Sequence, residues 1–282
     1  MTIHPAIASD HTAVVTGGAS GIGFAAVRAF AEAGMKVAIV DRDAQALKAA
    51  GQVLASLAGE DKVMAVTADV SRADEIASLQ AAVTGRFGTV HLLMNNAGIE
   101  QPSTIEGPRE AWEQIVAVNL WGVINGTQAF LPGMVASGEP GLIVNTGSKQ
   151  GITTPPGNPA YNISKAGVKV FTEQLQHELR GRENGRVEAR LLIPGFVFTG
   201  LTARGRSEKP DGAWTPEQTV DFMLEKLAAD DFYILCPDGD TTRELDEKRM
   251  AWAIGDIIEN RPPLSRWHAD YGERFKAFVS KG

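Results

Sequence analysis

A chain of 282 residues with 44% hydrophobic and 22% charged residues is long enough to bury a large core, and its composition excludes extended disorder. Lys and Arg number 27 against 34 Asp and Glu, and the resulting net charge of −7 argues against non-specific nucleic-acid binding. The single cysteine, Cys236, excludes an intrachain disulfide, no stretch has the length and apolarity of a membrane span, and residues 1–10 lack a basic start followed by an apolar run; a soluble, cytoplasmic protein with no membrane partner is expected.

Residues 1–11 read as an N-terminal tail. Short apolar runs rich in Val and Ile at 13–16, 37–40, 63–67, 90–94 and 142–145 predict buried strands, with 187–193 as a sixth and 232–235 as a short last one. Helical patterns such as 23–33 and 44–58 lie between them. The alternation predicts an α/β fold: a Rossmann-type doubly wound parallel sheet of about seven strands, with helices on both faces and right-handed crossovers. Residues 196–214 are rich in Gly, Thr, Arg and Pro with little periodicity, and read as a surface lid over a substrate. Thr215-Pro216-Glu217 then opens a helix, Thr as cap and Pro in the first turn. Residues 237–282 read as a helical C-terminal extension, with a long pattern at 241–259, a break at Pro262-Pro263 and a short helix at 272–279. No repeat or linker divides the chain, so one domain over 1–282 is expected.

The turn Thr16-Gly17-Gly18-Ala19-Ser20-Gly21-Ile22-Gly23 joins the first strand to the first helix. Glycine allows positive φ and close approach of a phosphate, and the following helix points free amides at that anion. A dinucleotide pyrophosphate needs this arrangement, although the spacing Gly17, Gly21, Gly23 is not Gly-x-Gly-x-x-Gly, and no Gly-Lys-Ser/Thr closes the loop as in ATPases. Asp41 ends the second strand, 24 residues after Gly17, where a carboxylate can accept from both ribose hydroxyls of an adenosine and repel a 2′-phosphate. That favours NAD over NADP, a preference that the neighbouring Arg42 would soften.

These features combine with further motifs, in order: Asp69-Val70, Asn95-Asn96-Ala97-Gly98, Asn119, Ser148, Tyr161-Asn162-Ile163-Ser164-Lys165 and Pro194-Gly195. With the glycine-rich turn they make residues 12–235 resemble the short-chain dehydrogenase/reductase family. The resemblance implies an NAD(P)-dependent oxidoreductase that moves a hydride between nicotinamide and a secondary alcohol or ketone. Its chemistry is readable in the residues. Asn158 can cap a helix starting at Pro159, which puts Tyr161 and Lys165 on one face. A tyrosine's ordinary pKa of about 10 is high for a base at neutral pH, and a neighbouring ammonium is expected to lower it. Tyr161 then takes or gives the proton, and Ser148, 13 residues earlier, bonds the reacting oxygen.

Other roles are implied by the family alone. Lys165 also binds the nicotinamide ribose, and Asn119 holds a proton-relay water from a distorted helix. Gly17, Ser20, Gly21, Ile22 and Gly23 cradle the pyrophosphate. Asp69 and Val70 hold the adenine. Asn96, Ala97 and Gly98 either pass the adenosine ribose or, with Asn95, hold the central strand. Pro194, Gly195 and Val197 position the nicotinamide, and Thr199 bonds its carboxamide or the pyrophosphate. A substrate pocket is expected from Gln150, Ile152, Pro155, Pro156, Phe196, Phe198 and Trp214, with Arg204 and Arg206 available to an anionic group.

Two departures from the family stand out: Gly147 where a serine is common, and the extension, which puts the family's tetramer contact through the last strand in doubt. A homodimer through the helices bearing Asn119 and Tyr161, or a homotetramer, is expected. Trp252, Trp267 and Tyr271 in the extension pack on the body, reach across an oligomer or close a pocket. Cys236 reads as a buried filler, and the five histidines have no metal-ligand spacing. The alternatives are a catalytically silent NAD-binding regulator, an NADPH-dependent carbonyl reductase, and an epimerase or dehydratase on the same fold.

Overall fold

The computed structural model describes residues 4–182, 185–203, 205–239 and 241–280. Its seven strands are β1 (Thr12–Thr16), β2 (Lys36–Asp41), β3 (Val63–Thr67), β4 (Leu92–Asn95), β5 (Gly141–Thr146), β6 (Val187–Ile193) and β7 (Tyr233–Leu235). They form one sheet in the order β3-β2-β1-β4-β5-β6-β7, every neighbouring pair parallel. The helices are α1 (Gly21–Glu32), α2 (Ala44–Ala58), α3 (Ala73–Phe87), α4 (Arg109–Val116), α5 (Gly122–Ser137), α6 (Gln150–Thr153), α7 (Pro159–Arg180), α8 (Gly200–Ala203), α9 (Pro216–Ala228), α10 (Arg243–Ile258) and α11 (Gly272–Ser280). This is the Rossmann-type doubly wound sheet that the apolar runs predict. Chain order reverses between β1 and β4, and the crevice outside the strand ends at such a point is where open α/β sheets bind ligands.

β1 and β5 are buried at every residue, because helices cover both faces of the sheet. Alternation sorts their side chains into two cores. On β2 the same alternation holds: Val37 and Ile39 join Phe30, Met223 and Leu227 on one face, while Ala38 and Val40 join Ile76, Leu79 and Phe130 on the other. Residues 4–11 are more than a tail: Ala6 and Ile7 are buried in the first of these cores, and His4 pairs with Glu188 at 3.4 Å. No helix among the described residues is long and apolar enough to cross a membrane.

Helix α7 carries the candidate chemistry. The Asn158 side chain accepts from the Tyr161 N–H at 3.4 Å, Pro159 occupies the first turn, and His177 and Arg180 lie in the last. Its buried stripe of Tyr161, Ser164, Lys165, Val168, Thr172, Leu175 and Leu179 faces the sheet at helical spacing. A hydrogen-bond chain fixes its height: Asn95 Nδ2 donates to Asn145 Oδ1 at 2.9 Å, and Asn145 Nδ2 donates to Thr172 Oγ1 at 3.0 Å. All three side chains are buried. Thr172→Val keeps the shape of the side chain but leaves the Asn145 amide unpaired. The substitution should lower unfolding free energy in urea by about 1–3 kcal/mol; an unchanged midpoint and slope would remove the chain from the account.

Candidate active site

The turns that follow the C-terminal ends of six strands converge on one cleft of roughly 260 Å³. The turn after β1 supplies Gly17, Ser20, Gly21 and Ile22; the end of β2 supplies Asp41 and Arg42, and the turn after β3 Asp69 and Val70. Asn96, Ala97 and Gly98 follow β4, Ser148 follows β5, and Pro194, Gly195, Val197 and Thr199 follow β6. Tyr161 and Lys165 enter from α7. Of the residues expected for catalysis and cofactor binding, Gly23 and Asn119 are not in the lining.

At one end the cleft is built for an anion. Gly17 and Gly21 have φ of +63° and +53°, which side-chain-bearing residues rarely adopt. Ser20 stands at the N-cap of α1 but makes no side-chain cap, and no acidic residue lies in the first turn, so the helix dipole is not neutralised from within. A Cβ on Gly23 would lie 2.1 Å from the Gly17 carbonyl oxygen, so Gly23 lets the turn fold back on its helix, and it lies outside the cleft lining. Asp41 accepts from the Ala19 N–H at 3.2 Å and the Asp43 N–H at 3.1 Å, which fixes its carboxylate beside the turn. Asp69 is held by the N–H and hydroxyl of Ser71 at 2.9 and 2.7 Å.

Asn96 holds the central strand, one of the two roles left open for it. Its backbone N–H donates to Thr16 Oγ1 at 3.0 Å and its Nδ2 to the Thr16 carbonyl at 3.2 Å, while its Oδ1 accepts from Thr146 Oγ1 at 3.2 Å. It ties β1, β4 and β5 together while lining the cleft. Asn95, by contrast, is buried against α5, its Nδ2 donating to Thr127 Oγ1 at 3.2 Å as well as to Asn145 Oδ1.

At the other end lie Ser148, Tyr161 and Lys165. Lys165 is buried, and its ammonium donates to the Thr146 carbonyl at 2.8 Å, 5.8 Å from the Tyr161 ring centroid. Burial pushes Lys165 down to about 8. The expected lowering of Tyr161 is absent: burial pushes its phenol up to about 12, against the opposing effect of a hydrogen bond with Ser148, and the Glu100 carboxylate adds to the rise. Tandem spacing on a helix reveals the neighbour but not the desolvation, and desolvation wins.

Asn119 sits in a π-helical segment, Ala117–Trp121, between α4 and α5. Its Oδ1 accepts from the Ile99 N–H at 2.8 Å, and its Nδ2 donates to the Ile99 carbonyl at 3.0 Å and to Ser164 Oγ at 3.2 Å. The side chain clamps the loop after β4 onto α7, and its amide is fully used.

The expected lid is pinned. Val197 bridges Trp214, the Phe198 N–H donates to the Trp214 carbonyl at 2.8 Å, and Thr202 Oγ1 donates to the Val197 carbonyl. Trp214 turns away from the cleft onto Phe222, centroids 5.6 Å apart, and Ile152 packs with Met250 in a small core. Pro155 and Pro156 line a separate groove with Ile105, Ile163 and Leu264. None of the seven residues expected around a substrate lines the cleft, and Arg204 lies outside the described residues. Thr146 and Thr202, which anchor Lys165 and the lid, carry no mark in the sequence. Cys236 is buried, with its thiol pushed up to about 12, as a filler would be.

A family model for short chain dehydrogenases matches residues 11–210. Similar curated proteins include the 3-oxoacyl-(acyl-carrier-protein) reductase FabG of Chlamydia muridarum, 34% identical over 73% of this chain and 81% of its own. The 1-deoxy-11-beta-hydroxypentalenate dehydrogenase of Streptomyces exfoliatus is 31% identical over 91% of this chain and 94% of its own, a match that runs into the extension. A crystal structure of a short chain dehydrogenase/reductase from Burkholderia phymatum in complex with NAD superposes with a TM-score of 0.81 at 32% identity, covering 90% of this chain and 96% of that one. The chain belongs to the short-chain dehydrogenase/reductase family. It is an oxidoreductase of that family.

The buried phenol can be observed without any substrate. In the ligand-free chain, the ultraviolet phenolate signal lost in Tyr161→Phe should titrate near pH 12, because burial penalises the anion. A difference signal that titrates below pH 10 would contradict the desolvated setting.

Proposed function

We propose that the cleft takes a nicotinamide dinucleotide, NAD in preference to NADP, and that Tyr161 exchanges a proton with the oxygen of a secondary alcohol or ketone. One observation carries this reading: an anion cradle and the Tyr161, Ser148 and Lys165 side chains share a single cleft. The residues fit the dinucleotide at each part: bare amides of α1 for the pyrophosphate, Asp41 for a ribose, Lys165 for the second ribose, and the Pro194–Thr199 stretch for the nicotinamide. When bound, the dinucleotide supplies or accepts the hydride.

The protein's part is placement and proton transfer. Ser148 holds the reacting oxygen against the phenol. Tyr161, protonated through the neutral range, is set to give a proton to a carbonyl oxygen, so ketone reduction is the direction to assay first. Lys165 keeps its charge below about pH 8, where it favours a developing phenolate as the proton leaves. Asn119 positions: by clamping Ile99 to Ser164 it sets the floor under Gly98, whose missing Cβ would lie 3.7 Å from the Lys165 ammonium. Exposed Trp121, Ile163 and Val170, on the π segment and α7, support a homodimer through this side of the molecule.

Two experiments test the reading. Tyr161→Phe should lower kcat by roughly 10²–10⁴-fold while NADH still binds; activity within a factor of about two of wild type would remove Tyr161 from proton transfer. Asp41→Asn keeps an acceptor for the Ala19 and Asp43 amides but drops the charge that opposes a 2′-phosphate. The NADPH/NADH affinity ratio should rise at least roughly tenfold. An unchanged ratio would mean that Asp41 does not set the preference.

A further inference from the structure

Beside the cleft lies a buried group of charges that the chemistry above does not use. Lys149 directly follows Ser148. Its Nζ stands 3.0 Å from Asp238 Oδ1 and 2.5 Å from Asp246 Oδ2, the latter an ion contact without the alignment of a hydrogen bond. The three side chains are 15%, 16% and 7% exposed. Arg249 approaches Asp246 Oδ1 at 3.6 Å, so two cations balance two carboxylates. Cations and anions withdrawn from water in this way persist only when paired.

The connections of this group run into the site from two sides. The Lys149 N–H donates to the Pro194 carbonyl at 3.2 Å. Asp238 Oδ2, the oxygen turned away from Lys149, accepts from the Phe196 N–H. Gly195 stands between them, and a Cβ there would lie 2.1 Å from Asp238 Oδ2, so the carboxylate rests directly on the Pro194-Gly195 backbone. Asp246 lies in the first turn of α10, which packs on α6 immediately after Lys149. One carboxylate therefore holds the turn after β6, one ammonium holds the turn after β5, and a helix of the extension holds that ammonium.

We infer that Lys149, Asp238 and Asp246 are positioning residues for the nicotinamide end of the cleft, and that α10 thereby belongs to the active-site scaffold. The inference rests on the dinucleotide reading proposed above. The network touches the turns after β5 and β6 but neither the α1 amides nor Asp41. Loosening it should displace the wall expected to meet the nicotinamide and leave the adenosine end unchanged.

The test separates those two ends. NADH and ADP-ribose, which lacks the nicotinamide, are titrated calorimetrically into the full chain and its Asp238→Asn and Asp246→Asn variants. Both substitutions preserve volume, and thermal unfolding verifies that each variant is folded. Asp238→Asn should weaken NADH by about tenfold, the worth of one hydrogen bond to a charged group, and change ADP-ribose by less than about twofold. Asp246→Asn should shift NADH in the same direction by a smaller factor. If a variant is unfolded, Lys149→Arg and Lys149→Met replace it: arginine, which keeps the charge, should retain more NADH affinity than methionine. Equal losses for both ligands, or no loss for either, would overturn the inference and reduce the network to glue for the extension. A wild-type chain that binds neither ligand would instead remove the dinucleotide reading, and the inference with it.

Discussion

The bond from the Lys165 ammonium to the Thr146 carbonyl is the constraint on which the site depends. It spans 2.8 Å in a place where water scarcely reaches, and it ties α7 to the last residue of β5. An ammonium buried there needs an acceptor, and the end of a parallel strand offers a free carbonyl. With Lys165 so held, Tyr161 one turn earlier must face the same cleft, and Ser148 lies two residues beyond Thr146 on the chain that receives the bond. Asn119 adds a second tether through Ser164, and the Asn95–Asn145–Thr172 chain a third. Helix α7 thus meets the sheet through polar contacts of fixed length as well as through apolar packing, which slides more easily.

That constraint has an electrostatic cost. Packing tight enough to place the phenol also desolvates it, and the same burial moves Tyr161 up and Lys165 down. The two shifts have opposite sign because both disfavour charge: an anion in one case, a cation in the other. The ligand-free site therefore holds a neutral phenol next to a weakened ammonium. A hydrogen bond with Ser148 pulls the phenol the other way.

Much of this was legible in the sequence because a parallel sheet places functional turns directly after apolar runs. Gly17, Asp41, Asp69, Asn96, Ser148 and Gly195 all follow or end such runs, so finding the strands located the cleft. Contacts between distant, individually unremarkable residues were not legible. Lys149 and Asp238 are 89 positions apart, and neither belongs to a motif. Trp214 belongs to a segment whose Gly and Pro content reads as a lid; a bridge to Val197 and backbone bonds with Phe196 and Phe198 pin it, and its ring packs on Phe222. The aromatic residues of the extension could pack in three ways. Trp252 packs mainly within the extension, under Phe275 and Phe278 and against the Arg261 guanidinium 4.0 Å away. Gly23 shows a contact of the same hidden kind: its position after the first strand marked it as special, and the structure adds the close approach of the Gly17 carbonyl, which the sequence does not reveal.

The central claim is that the anion cradle and the Tyr161–Lys165 pair form one site for hydride transfer. The most direct measurement mixes the chain with one equivalent of NADH and a panel of cyclic and aromatic ketones, and follows the near-ultraviolet absorbance of the reduced nicotinamide. The account predicts a protein-dependent loss of that absorbance with at least one ketone. Saturable NADH binding with unchanged absorbance across the whole panel would contradict it and leave a protein that binds the dinucleotide without using it.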